Sequence, residues 1–148
     1  MNRTIAQFIQ QQKVATICAN QPNLAPYCFN CMYVFHLQDA VIYYKSSGDA
    51  YHSSFMTENA VVAGTILPDK INFLGLQGIQ FEGEIIPKHS SLYLHATSRY
   101  YAKMPMALAM PGDIWAIQLN HLKMTDNTKL FGKKLQWNRE VASLSTNK

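Results

Sequence analysis

Charge is scarce in this chain: 15% of its 148 residues are Asp, Glu, Lys or Arg, against about 25% in an ordinary globular domain. Low charge combined with eight Tyr and seven Phe excludes an intrinsically disordered chain. No apolar run approaches the ~20 residues that span a bilayer. The opening, Met1-Asn2-Arg3-Thr4, leads into a glutamine-broken segment and not into an apolar leader core. A soluble, cytoplasmic protein is therefore expected, with no membrane partner. Cysteine is also sparse. Three of them, Cys18, Cys28 and Cys31, cannot close a disulfide framework of pairs. Cys28-Phe29-Asn30-Cys31 spells C-x-x-C, but it lies in a run that reads as a strand, where residues i and i+3 face opposite ways. These thiols read as packed strand residues. The five histidines show no i,i+4 pair and no H-E-x-x-H, and there is no G-x-S-x-G, P-loop or G-x-G-x-x-G. No metal site is expected, and metal-assisted hydrolysis is set aside.

What the chain does have is 48% apolar residues, arranged mostly as short strands. A chain of this length buries roughly 68–70% of its unfolded surface, enough for a core. Thr4-Ile5-Ala6-Gln7 fits a capping box, opening a short helix over Ile5–Gln12. Strands are expected at Val14–Asn20, Leu24–His36, Val41–Lys45, Ala60–Leu67, Gly75–Ile86 and Asp113–Met124. The second is apolar on both faces, which predicts cover on each side. In the fifth, Ile79, Phe81 and Ile85 share one face and Gln80, Glu82 and Glu84 the other. In the sixth, Trp115, Ile117 and Leu119 point in, while Ala116, Gln118 and Asn120 point out. Ser46-Ser47-Gly48-Asp49 breaks the pattern before a helix over Ala50–Glu58 with Asp49 as N-cap. A further helix runs from Ser90 or Ser91 to Tyr101 or Ala102, followed by a methionine-rich piece between Pro105 and Pro111. Residues 130–137 alternate like a strand.

The formal charge of +4 is confined to the C-terminal tail (124–148 and the adjacent Lys123): from Lys123 onward six basic residues face two acidic ones, and the rest of the chain balances. A nucleic-acid-binding fold carries its basic face on the fold itself, so nucleic acid is not the expected partner. Six strands with short connections and two or three short helices predict a mainly β chain, one domain over 1–148, built as an antiparallel barrel with flanking helices.

Four segments, in order, carry a family resemblance. They are Lys13-Val14-Ala15-Thr16-Ile17-Cys18-Ala19; Ala25-Pro26-Tyr27-Cys28; Ile42-Tyr43-Tyr44-Lys45-Ser46-Ser47 with Tyr51-His52-Ser53; and Gln77-Gly78-Ile79-Gln80-Phe81-Glu82-Gly83. Over Lys13 to Ile86 the chain resembles the pyridoxamine 5'-phosphate oxidase-like FMN-binding split-barrel proteins. The resemblance implies a six-stranded split barrel and a homodimer with FMN at the subunit interface. It places the flavin phosphate near Tyr44, Lys45, Ser46, Ser47 and His52, with Gln77 or Gln80 at the ring edge and Trp137 over the flavin from the other subunit. The residues point to the same loop on their own. Two hydroxyls, a glycine that admits close approach and an expected helix start form an anion site. Between Gln77 and Gln80, Gln77 shares the inward face with Ile79 and Phe81, so its amide needs a partner. No basic residue lies in 25–35, and His52 stands where the family places Lys. The phosphate charge is therefore assigned to Lys133, Lys134 or Arg139 of the dimer mate.

The reading from sequence is an FMN-dependent oxidoreductase acting on a small-molecule substrate, with no catalytic acid or base assigned. The other reading is a non-catalytic dimer that holds flavin or haem as a store or sensor.

Overall fold

The computed structural model describes residues 1–128 and 132–140. Among the described residues no helix is long and apolar enough to cross a membrane. The first helix, α1, covers Arg3–Gln11 and buries Ile5, Ala6, Phe8 and Ile9. Its cap is Asn2, whose Oδ1 accepts from the Thr4 N–H at 2.8 Å. The Thr4 capping box is thus displaced by a residue that caps better.

Seven strands follow: β1 (Val14–Ala19), β2 (Tyr27–His36), β3 (Val41–Ser46), β4 (Val61–Ile66), β5 (Gln77–Ile85), β6 (Asp113–Asp126) and β7 (Lys133–Asn138). All pair antiparallel in the order β3-β2-β1-β4-β5-β6-β7. A further β3–β6 pairing closes six of them into a barrel. The expected six-stranded antiparallel barrel is therefore the architecture, with β7 added along β6. Leu130 and Phe131, assigned above to a strand-like run, and the tail cations Lys129 and Lys148 lie outside the described residues.

The barrel core joins α1 to inward residues such as Ile17, Tyr44, Phe81, Ile117 and Leu122. A second apolar cluster lies outside the barrel wall. There Val34, Tyr43, Ile114 and Ala116 are covered by Ala96 and Tyr100 of α2 (Ala96–Lys103). Ala116 thus faces out as expected, yet is buried. The expectation for the second strand holds only at its far end, where Tyr33 and Val34 enter opposite clusters. Earlier in β2, Cys28, Asn30 and Met32 are exposed.

On β6 the inward parity changes at Asn120. The register slips between Glu82/His121 and Gly83/Leu119, so the inward set runs Trp115, Ile117, Leu119 and then Leu122, Met124. An extra residue in one strand of a pair bends it and increases its twist. Gly83 serves this bulge, because a Cβ there would lie 2.4 Å from the Gln118 carbonyl.

The predicted helix over Ala50–Glu58 is a single 3-10 turn, Tyr51–Ser54, and Asp49 does not cap it. Hydroxyl groups take the carbonyls a helix would need. Ser53 Oγ donates to the Ser47 carbonyl at 2.7 Å and Ser54 Oγ to the Tyr51 carbonyl at 2.8 Å. Tyr27, Tyr51 and Phe55 then lock the turn through edge-on ring contacts. The loop therefore has no α-helix start behind it to favour an anion. α2 also starts later than expected, after a series of turns from Ser90 to His95.

Candidate functional site

At the rim of the barrel, where β2 and β3 pass beneath the α2 end, lies a cavity of about 540 Å³. Its walls come from Phe29 to Met32 of β2, from Lys45, Ser46, Ser47 and His52, and from Tyr100 with the 104–111 segment. Strand β3 sets this arrangement by alternation. Tyr43 points to the α2 cluster and Tyr44 into the barrel. Lys45 then follows Tyr43's side, and Ser46 follows Tyr44's.

Ser46 Oγ and His52 Nε2 are 2.7 Å apart. The His52 ring stacks on Phe29 with centroids 3.7 Å apart and planes 5° from parallel. Burial pushes the His52 pKa below its ordinary 6.5, which favours the neutral imidazole. Ser47 Oγ accepts from the Asp49 N–H at 3.2 Å and keeps its own proton to donate. This end of the cavity presents hydroxyls and an uncharged imidazole. The other wall is soft and apolar, made by Met32, Met104, Met106 and Met110.

Lys45 lines the cavity, and its ammonium is engaged within the chain. Its ammonium donates to Tyr101 Oη at 2.7 Å, to the Ala107 carbonyl at 2.7 Å and to the Met110 carbonyl at 2.5 Å. An ammonium has three protons to give, so all are spent. Lys45 pins the 3-10 turn Pro105–Ala109 over the cavity, and its charge is not available to a phosphate in this arrangement. Lys45→Met should therefore raise amide exchange in residues 105–110 at least about tenfold, since opening of that turn loses charge-assisted bonds worth ~1.5 kcal/mol or more. Hydrogen exchange with mass spectrometry reads this directly; unchanged protection there contradicts the pinning role.

Tyr44 lies beneath the cavity and does not line it. It is fully buried against Phe29 and Trp115, its hydroxyl has no hydrogen-bond partner among the described residues, and burial raises its pKa far above the ordinary tyrosine value. Gln77 faces inward as expected, and its amide finds a partner: Nε2 donates to Asp126 Oδ2 at 3.3 Å. It is remote from Ser46, however. Ser46 pairs with Asp113 at one end of β6, and Gln77 with Asp126 at the other, roughly 40 Å of strand path at ~3.3 Å per residue. Trp137 sits on β7 opposite Leu122, packed on the core with the Arg139 guanidinium 5.7 Å from its ring. One chain thus brings together Lys45, Ser46, Ser47 and His52, but not Gln77 or Trp137. Arg139 is committed elsewhere: it donates to the Leu119, Asp39 and Ala40 carbonyls, clamping the β2–β3 turn.

Sequence reasoning had no means of seeing that Phe29 pairs with His52, or that Lys45 reaches across to residues 101–110. Both contacts join segments far apart in the chain. The one available signal was the crowding of Met104, Met106 and Met110, which marked adaptable apolar surface.

No family model matches the chain. Among solved structures, a pyridoxamine 5'-phosphate oxidase-related, FMN-binding protein from Nostoc punctiforme is similar with a TM-score of 0.65 at 9% identity, over 93% of this chain and 89% of that one. A heme binding protein from Mycobacterium smegmatis is similar with a TM-score of 0.64 at 11% identity, over 86% and 54% respectively. These likenesses establish the split-barrel fold. In sequence, the UPF0306 protein of Photorhabdus laumondii is 35% identical over 135 residues, 91% of this chain and 94% of that protein. The UPF0306 protein of Yersinia enterocolitica is 35% identical over 135 residues, 91% of each chain. Similarity at this level along nearly the whole length of both proteins places the chain in the UPF0306 family.

Proposed function

We propose that this cavity holds FMN at the seam of a homodimer and that the protein is a flavin-dependent oxidoreductase. The observation that carries the reading is the convergence, in one rim cavity, of a planar Phe29–His52 stack, the hydroxyls of Ser46 and Ser47, and a wall of methionines. A flat ring system suits the stack and the thioethers. A phosphate suits the hydroxyl end. Split-barrel neighbours include the FMN-binding protein of Nostoc punctiforme and an FAD binding protein of Mycobacterium smegmatis. When bound, flavin supplies hydride transfer, and the protein supplies position and electrostatics.

The chain's own residues divide the work. Phe29 and the methionines exclude water from the ring, Ser46 holds the imidazole of His52 in place, and Ser47 offers its hydroxyl to the phosphate. The second copy brings what one chain lacks: Gln77 and Trp137 for the ring, and the exposed Lys133 and Lys134 of β7 for phosphate charge. Arg139, held by three carbonyls, drops out of that list.

The haem reading draws on the neutral imidazole of His52, the form that ligates metals, and on the haem-binding neighbours. Nε2 of His52 already meets Ser46 Oγ, which favours the flavin.

The test is the pH profile of FMN binding against riboflavin. In the free protein the His52 pKa is lowered. A phosphate dianion beside it favours imidazolium and raises that pKa, so binding takes up a proton. FMN affinity should then rise as pH falls from about 8 to about 6.5, by at most tenfold per unit. Riboflavin, and FMN with His52→Gln, should show flat profiles. An FMN profile as flat as riboflavin's contradicts the placement of the phosphate.

A further inference from the structure

The three cysteines live in different surroundings. Cys31 points inward on β2, and burial pushes its thiol up to about 12; such a thiol is inert near neutrality. Cys18 is half-buried and Cys28 exposed. These two stand directly opposite each other in the β1–β2 register, on the outer face of the barrel.

Hydrogen bonding fixes what kind of pair they form. The Tyr33 N–H donates to the Lys13 carbonyl at 3.0 Å, and these residues lie opposite each other one step beyond Val14 and Met32. Antiparallel pairs alternate between hydrogen-bonded and non-hydrogen-bonded. Counting along the unbroken register from Lys13/Tyr33, the pairs Ala15/Cys31, Ile17/Phe29 and Ala19/Tyr27 are hydrogen-bonded. Val14/Met32, Thr16/Asn30 and Cys18/Cys28 are not. At such a pair the Cα atoms lie about 4.5 Å apart and the side chains are at their closest. That spacing falls within the ~4.4–6.8 Å range of disulfide-bonded cysteines. The neighbouring pair on the same face shows the contact: Thr16 Oγ1 and Asn30 Oδ1 are 2.7 Å apart. The proximity is also felt by the thiols, because hydrogen bonding to Cys28, followed by burial, raises the pKa of Cys18.

We propose that Cys18 and Cys28 are a redox site that closes to a cross-strand disulfide by exchange with a small-molecule disulfide. The exposed Cys28 thiolate attacks one sulfur of that molecule, breaks its S–S bond and releases one thiolate, leaving a mixed disulfide on Cys28. The Cys18 thiolate then attacks the Cys28 sulfur and expels the second small thiolate. Two electrons pass from the cysteine pair to the small disulfide, and the two protons lost by the cysteines end on the two released thiols. In a reducing compartment the exchange runs backward, as transient sensing disulfides do. The site is separate from the cavity and does not depend on what fills it.

The full-length protein should be incubated with oxidised glutathione, alkylated and weighed by intact mass spectrometry, with far-UV circular dichroism showing that the fold persists. The expected result is loss of the mass of two hydrogens, a fall from three alkylatable thiols to one, and a Cys18–Cys28 crosslink in the peptide map that dithiothreitol reverses. Cys31→Ser should lose the same mass and form the same crosslink, its alkylatable thiols falling from two to none. Cys18→Ser should stop at the mixed disulfide, one glutathione heavier at Cys28. Three alkylatable thiols after oxidation, a crosslink to Cys31, or a wild-type chain that accumulates the same mixed disulfide as Cys18→Ser would each overturn the proposal.

Discussion

Ser47→Glu should lower FMN affinity about a hundredfold while changing riboflavin affinity by no more than about threefold, since only the phosphate meets the new charge. Ser47 is exposed at the mouth of the cavity, so a longer side chain is accommodated without disturbing the core. Its carboxylate would stand against the proposed phosphate end, where the ammonium of Lys45 is spent on Tyr101, Ala107 and Met110. Two like charges about 4 Å apart near a protein surface repel by up to ~4 kcal/mol, and screening by solvent brings that to roughly the 2.7 kcal/mol of a hundredfold change. Riboflavin differs only in lacking the phosphate, so the ratio of the two losses locates that group. Equal losses for both ligands would move the phosphate to another part of the cavity.

The second large effect concerns the barrel wall. Gly64 of β4 lies between Ile17 of β1 and Phe81 of β5. A Cβ there would come within 2.2 Å of Phe81 Cζ and 2.4 Å of the Thr16 carbonyl oxygen. Phe81 is almost fully buried, so its ring has little room to turn away, and the carbonyl belongs to the paired backbone of β1. Gly64→Ala should therefore cost about 3 kcal/mol, the upper end of the usual cost of overpacking a core. Urea unfolding reads it as a large drop in midpoint with an unchanged slope. A midpoint equal to that of the wild type contradicts the close approach of Phe81 to β4.

Much of the fold was legible because the strands obey simple periodicity. Ile79, Phe81 and Ile85 alternate with Gln80, Glu82 and Glu84, and the structure buries the first set and exposes or half-exposes the second. Six strands with short connections already point to an antiparallel barrel, and the family resemblance implies the same closure. The failures have local causes. The helix over 50–58 reads well by composition, but Ser53 and Ser54 turn their hydroxyls onto backbone carbonyls and Tyr27 reaches in from β2. A serine-rich segment has that option, and only tertiary packing decides it. On β6 the parity shift at Asn120 is a bulge whose sole sequence trace is Gly83 on the facing strand. At the site, the family resemblance places Lys45 beside the flavin phosphate together with Ser46. On a strand, neighbours in sequence face opposite sides, and Lys45 went to the Met-rich turn while Ser46 met His52.

Leu135 and Trp137 pack on the barrel core, so removing the tail would damage the fold along with the charge. The contribution of Lys133 and Lys134 is measured by neutralising substitutions.

The central claim is that two copies of this 16.8 kDa chain share FMN between the rim cavity of one and the β7 side of the other. Sedimentation velocity in the presence of FMN, followed simultaneously at the protein band and the visible flavin band, tests both halves at once. A single boundary at the dimer mass carrying one flavin per chain is expected. Flavin that sediments as the free molecule, or that travels with a monomer, would contradict it.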